Sequence, residues 1–83
     1  MVYEIIWEES ALKQLRKLED SIATRILKSL NEIKENLYAK DVKKLKGHEG
    51  HRLRVGDYRI IFELEGNILI ILKVGHRQHI YER

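Results

Sequence analysis

The stretch from His51 to Ile61 leaves a chain of this size little freedom. His51, Leu53 and Val55 alternate with Arg52 and Arg54, which is the two-residue period of a half-buried strand. Gly56-Asp57 follows, a two-residue turn of the kind that closes a tight hairpin, with glycine supplying positive φ at the first central position. Such a turn sets the register: Val55 pairs with Tyr58, Arg54 falls opposite Arg59, and Arg52 falls opposite Ile61. All three arginines then share one face. Like charges set across from each other on a sheet are destabilising, so this face is either held for a polyanion or is solvated surface.

The rest of the chain is arranged around that hairpin. Tyr58, Ile60, Phe62 and Leu64 alternate with Arg59, Ile61 and Glu63, an apolar pattern on both faces that marks a central strand. Glu65-Gly66-Asn67 closes a second hairpin into the run from Ile68 to Val74. Lys73 joins the Arg59 face if all three of those residues form the loop, and points away if only Gly66-Asn67 do. Arg77 comes just past this strand, and Tyr81 soon after it. Upstream, Val2 to Trp7 reads as a first strand with Tyr3, Ile5 and Trp7 on one face. Glu8, Glu9 and Ser10 begin a helix with Ala11, Leu12, Leu15 and Leu18 inward and Lys13, Gln14, Arg16 and Lys17 outward. Asp20 and Ser21 offer the cap of a second helix, whose Ile22, Ala23, Ile26, Leu30, Ile33 and Leu37 recur at threes and fours. Asn36 to Lys44 is a polar connection anchored by Leu45, and Lys46 to Gly50 reads as a loop.

The order is β-α-α-β-β-β: an α+β fold in one domain spanning residues 1–83. Two N-terminal helices pack on one face of a small antiparallel sheet, and the opposite, basic face is open. Among the 83 residues there is no cysteine, so neither a disulfide nor thiolate chemistry is available. The longest apolar run, Ile68 to Leu72, is far too short to span a bilayer, and no signal peptide precedes the first strand. Charge is unevenly placed. Up to Ala39 six Lys and Arg face seven Asp and Glu, whereas from Lys40 onward there are ten against six, with all four histidines. A basic half joined to a neutral half points to a polyanionic partner. His48-x-x-His51 and His76-x-x-His79 come without cysteines, and neither pair lies on a helix where i and i+3 would converge, so no metal site is expected.

Several pieces recur in a telling order. They are Leu45-Lys46-Gly47 before the basic strand, Arg52-Leu53-Arg54-Val55-Gly56-Asp57-Tyr58-Arg59-Ile60-Ile61 across the hairpin, and Val74-Gly75-His76-Arg77 with Tyr81 at the end. With the helix start Ser10-Ala11-Leu12-Lys13-Gln14-Leu15 they cover essentially the whole chain. Together they resemble the RelE/ParE toxin superfamily, and more closely its RelE branch. The resemblance implies a cytoplasmic toxin of a type II toxin–antitoxin system, neutralised by a RelB-like antitoxin. Such a toxin enters the ribosomal A site and cuts messenger RNA without metal or other cofactor. It also implies catalytic roles for Arg52, Arg54, Arg59, Arg77 and Tyr81. Lys43, Lys44, Lys46 and Lys73 either track RNA phosphates on the ribosome or are solvated. Two other readings keep the fold: a ParE-like inhibitor of DNA gyrase that cuts nothing, and a non-catalytic RNA-binding domain.

Metal-free RNA cleavage requires the ribose 2′-OH to attack the adjacent phosphate. The site must take a proton, stabilise a dianionic phosphorane and assist the leaving 5′ oxygen. Planar guanidinium forks on Arg54, Arg59 and Arg77 suit the middle task. The best-known RelE members carry lysines at the positions matching Arg52 and Arg54. Because arginine is effectively always charged, the proton acceptor here passes to Tyr81 or to one of His51, His76 and His79.

Overall fold

The computed structural model describes residues 2–45 and 50–80 of the chain, and among them seven elements follow one another. They are β1 (Glu4–Trp7), α1 (Glu9–Arg16), α2 (Asp20–Glu35), β2 (Val42–Lys44), β3 (Gly50–Val55), β4 (Tyr58–Glu65) and β5 (Ile68–His76). Lys46, which the sequence reading included among the RNA-binding lysines, and Tyr81 lie outside the described residues. No described helix is long and apolar enough to cross a membrane.

The strands form a single sheet in the order β1-β5-β4-β3-β2. The α+β class and the two helices on one face stand as expected, and the expected antiparallel sheet of four strands is corrected in two respects. The sheet is mixed, because β1 pairs with β5 in parallel. The long α1–α2 crossover leaves the direction of β1 free, whereas a tight hairpin forces antiparallel pairing. It also has a fifth strand, because Val42 to Lys44 pairs along β3 inside the stretch that composition marks as a connection. Three residues are too few to show a period.

At β3–β4 the register is the one that Gly56-Asp57 demands: Val55 opposite Tyr58, Arg54 opposite Arg59, Leu53 opposite Ile60, Arg52 opposite Ile61. Gly56 has φ +57°, as the first central residue of such a turn requires. The second turn is also two residues long, with Glu65 opposite Ile68 and Gly66 at φ +60°. Further along β5 the register slips. Phe62 pairs with Ile71 but Ile61 pairs with Lys73, so Leu72 is an extra residue, a β-bulge. The bulge returns Val74 to the side of Leu69 and Ile71, and turns Lys73 to the side of Arg59.

The core lies between the helices and the sheet. Ala11 and Leu15 of α1 and Ile26, Leu30 and Ile33 of α2 meet Leu53, Val55, Ile60, Phe62, Leu69, Ile71 and Val74. Phe62 is fully buried at the centre and stacks on His51 with ring centroids 5.3 Å apart. Gln14, expected outward, has a structural task. β1 covers β5 only as far as Ile71, and past that point the amide oxygen of Gln14 accepts the Val74 N–H at 2.8 Å. The helix side chain thereby closes a strand edge that no further strand covers among the described residues.

Candidate functional site

The register sorts the face away from the helices into rows. Nearest the β3–β4 turn lie Arg54, Arg59 and Gly75, and the next row is Lys43, Arg52, Ile61 and Lys73. With strands about 4.8 Å apart, Lys43 and Lys73 stand roughly 14 Å from each other, with Arg52 between them. Beyond these the face changes character: Glu63, Ile70 and Ile6 form one row and Glu65, Ile68 and Glu4 another. The basic residues are therefore confined to the half of the face beside the turn. Arg77 lies at the same end, its N–H donating to the Asp57 carbonyl at 2.7 Å. Lys44 is opposite His51 and so belongs to the other face.

This face is less open than alternation alone implies. Arg52 and Arg59 are only 4% and 8% exposed, while Arg54 and Arg77 reach solvent. Leu45 and Ile61 are buried yet lie outside the helix-side core cluster. The chain end also folds over: Ile80 sits where a Cβ on Gly75 would meet its side chain at 3.2 Å. Gly75 stands opposite Arg59, so only a residue without a side chain leaves room there for Ile80.

Each arginine is held in a different way. Arg59 Nη1 donates to the carbonyls of Gly56 at 2.9 Å and Tyr58 at 3.0 Å, which draws its guanidinium to the turn. Arg52 Nη1 donates to Asp41 at 3.2 Å, and Arg54 Nη1 lies 3.5 Å from the other Asp41 oxygen. Arg77 Nε lies 3.7 Å from an Asp57 oxygen. Sequence reasoning finds no acidic neighbour for this face and misses Asp41. Its only signal would have been the start of β2, which is too short to read.

The histidines divide differently. His51 stacks on Phe62 on the helix side, and His76 is opposite Tyr58, meeting its ring edge-on at 5.5 Å. Neither faces the arginines. His79 stands in the turn after β5, 6.3 Å from His76. Among the described residues no three His, Asp or Glu side chains gather as a metal-binding group. What the arrangement can do is attract an anion. Residues directly opposed on antiparallel strands have Cβ atoms about 5 Å apart, so the exposed Arg54 can present a planar fork to a phosphate with the charge of the buried Arg59 beside it.

Comparison with known proteins gives this geometry a context. The family model of the ParE toxin of type II toxin–antitoxin systems, parDE, matches residues 5–81. Toxin RelE3 of Methanocaldococcus jannaschii is 33% identical over 84 residues, which cover 95% of this chain and 96% of that protein. In the crystal structure of the RelB–RelE antitoxin–toxin complex from Methanococcus jannaschii, the matched chain has a TM-score of 0.75 at 33% identity. The match covers 88% of this chain and 91% of the other. The archaeal RelE–RelB complex from Pyrococcus horikoshii OT3 matches with a TM-score of 0.81 at 26% identity, over 96% of this chain and 100% of the other.

Proposed function

The chain belongs to the RelE/ParE superfamily of type II toxins, and on that premise we propose that it is a ribosome-dependent endoribonuclease that cuts messenger RNA in the A site. The observation that carries the reading is the directly opposed pair Arg54 and Arg59, with Arg52, Lys43 and Lys73 in the next row of the same face. Five cations on half of one small sheet face match a bent RNA backbone better than they match any packing need.

The chemistry follows from what the side chains can do. The 2′-OH gives its proton to a base as its oxygen bonds to phosphorus. The P–O5′ bond then breaks, leaving a 2′,3′-cyclic phosphate and a 5′-OH that takes up a proton. Arg54 and Arg59 stabilise the non-bridging oxygens as negative charge grows on them. Arg77 supports the same charge from the end of β5. Arg52, buried and held by Asp41, acts as a fixed positive potential beneath the phosphate. The base on this reading is Tyr81, since His51 and His76 lie on the helix side of the sheet. No metal takes part in these steps.

On this reading the partners are a RelB-like antitoxin, the ribosome and messenger RNA, and the place of action is the cytoplasm. The decisive experiment adds the purified toxin to a translation reaction and maps message ends. Cuts confined to translated message are expected; intact message overturns the proposal. The matched family model carries the ParE name, which keeps a second reading in view: a gyrase inhibitor that cuts nothing. A supercoiling assay run in parallel detects it, and inhibition there with intact message selects it.

A further inference from the structure

On the helix side of the same turn lies a second basic feature. A groove of about 410 Å³ runs between α2 and the end of β3. Arg25, Lys28 and Glu32 line one wall, at the helical spacing that puts them on one flank of α2 beside the buried Ile26 and Leu30. Lys40 and Arg54 line the other wall. Glu32 is paired with Lys40 at 3.0 Å and Asp41 with Arg54 at 3.5 Å, whereas Arg25 and Lys28 make no ion pair among the described residues. The floor is Val55 and Gly56. A Cβ on Gly56 would lie 3.2 Å from Arg25 Nη2, so the glycine lets the guanidinium rest directly on the turn. The carbonyl of the same Gly56 holds Arg59 on the far side.

We propose that this groove is a second RNA site, one that takes the phosphate backbone of a folded RNA helix while the arginine face takes the strand to be cut. The lining argues for backbone. Among the described residues it has no aromatic side chain on which an unpaired base could stack, so a single strand gains little there. Its one apolar side chain, Val55, is buried, so it lacks the exposed apolar anchors that fix a protein partner. Cations, the Ser29 hydroxyl and no base-reading platform suit an A-form helix, which is recognised by shape and phosphate. Arg54 stands in both features, so the two basic surfaces join around the turn. In naming ribosomal RNA as the natural occupant, the inference rests on the reading above, and it supplies a physical reason why cutting would need the ribosome.

The test uses the full-length toxin, its Arg25→Gln/Lys28→Gln double variant and Lys28→Gln alone, the last because Lys28 does not touch the turn. Binding to a 20-base-pair RNA hairpin of arbitrary sequence is measured across a salt series, along with ribosome binding and cleavage at saturating ribosomes. The double variant is expected to bind hairpin and ribosome roughly tenfold more weakly, with a salt slope flatter by about 2, and Lys28→Gln to lose about half of that slope change. Maximal cleavage should be unchanged. Equal hairpin affinity and slope in all three proteins overturn the proposal, as does ribosome binding that the double variant leaves unchanged. If the wild-type toxin cuts nothing, the endoribonuclease reading fails, while the hairpin series still decides what the groove does.

Discussion

The two faces of this sheet are built from the same strands and stabilised in opposite ways. On the helix side, Leu53, Ile60, Phe62, Leu69 and Ile71 are fully buried among apolar neighbours, and each contributes about 1.5–3 kcal/mol by leaving water. On the other side the buried residues include Arg52 and Arg59, whose charges are costly to remove from water unless paired. Asp41 and the carbonyls of Gly56 and Tyr58 offset part of that cost. One face makes the domain stable. The other gives up some of that stability to keep cations in place, and on the function proposed above that cost serves electrostatic preorganisation for a reaction.

Substitutions can separate the two roles. Phe62→Ala should have the largest effect, lowering unfolding free energy by about 3–5 kcal/mol in a denaturant titration, a large part of what so small a domain has. Arg59→Ala should leave the fold in place by circular dichroism yet reduce message cleavage about 10²–10³-fold; retained cleavage would break the division between the faces. Tyr81→Phe should lower the cleavage rate about 10²-fold with no change in melting temperature, and an unchanged rate removes Tyr81 from the mechanism. Asp41→Ala sharpens the contrast, because it should cost about 1 kcal/mol of stability while tightening RNA binding in a filter assay. Looser binding would mean that Asp41 aligns Arg52 and Arg54 more than it neutralises them. Gln14→Ala, on the helix side, should cost about 0.5–1 kcal/mol and leave cleavage alone.

Much of this is legible in the sequence. Alternation from His51 to Phe62 and the glycine at position 56 were enough to place Arg54 opposite Arg59, because a two-residue turn leaves no choice of register. The apolar stripe of α2 named Ile26, Leu30 and Ile33 as core. Asp41 and β2 were not legible, since a three-residue edge strand leaves no periodic trace and its pairing depends on β3 being already in place. The basic groove escaped too. Arg25 and Lys28 look like solvated helix residues until the turn at Gly56 is packed beside them.

Lys73 marks the boundary between the two kinds of information. A two-residue turn at Gly66-Asn67, extended without interruption, would align Lys73 with Leu69 and Ile71 and drive its charge beneath the helices. The bulge at Leu72 prevents this by turning Lys73 to the arginine face and Val74 into the core. Local chemistry determined the turns, the helix faces and the arginine pair, because each depends on residues within a few positions of one another. Where Lys73 points, what holds Arg52 and how Gln14 closes a strand edge were decided only when helices and sheet met. Those choices follow from burial and hydrogen-bond satisfaction between segments far apart in the chain.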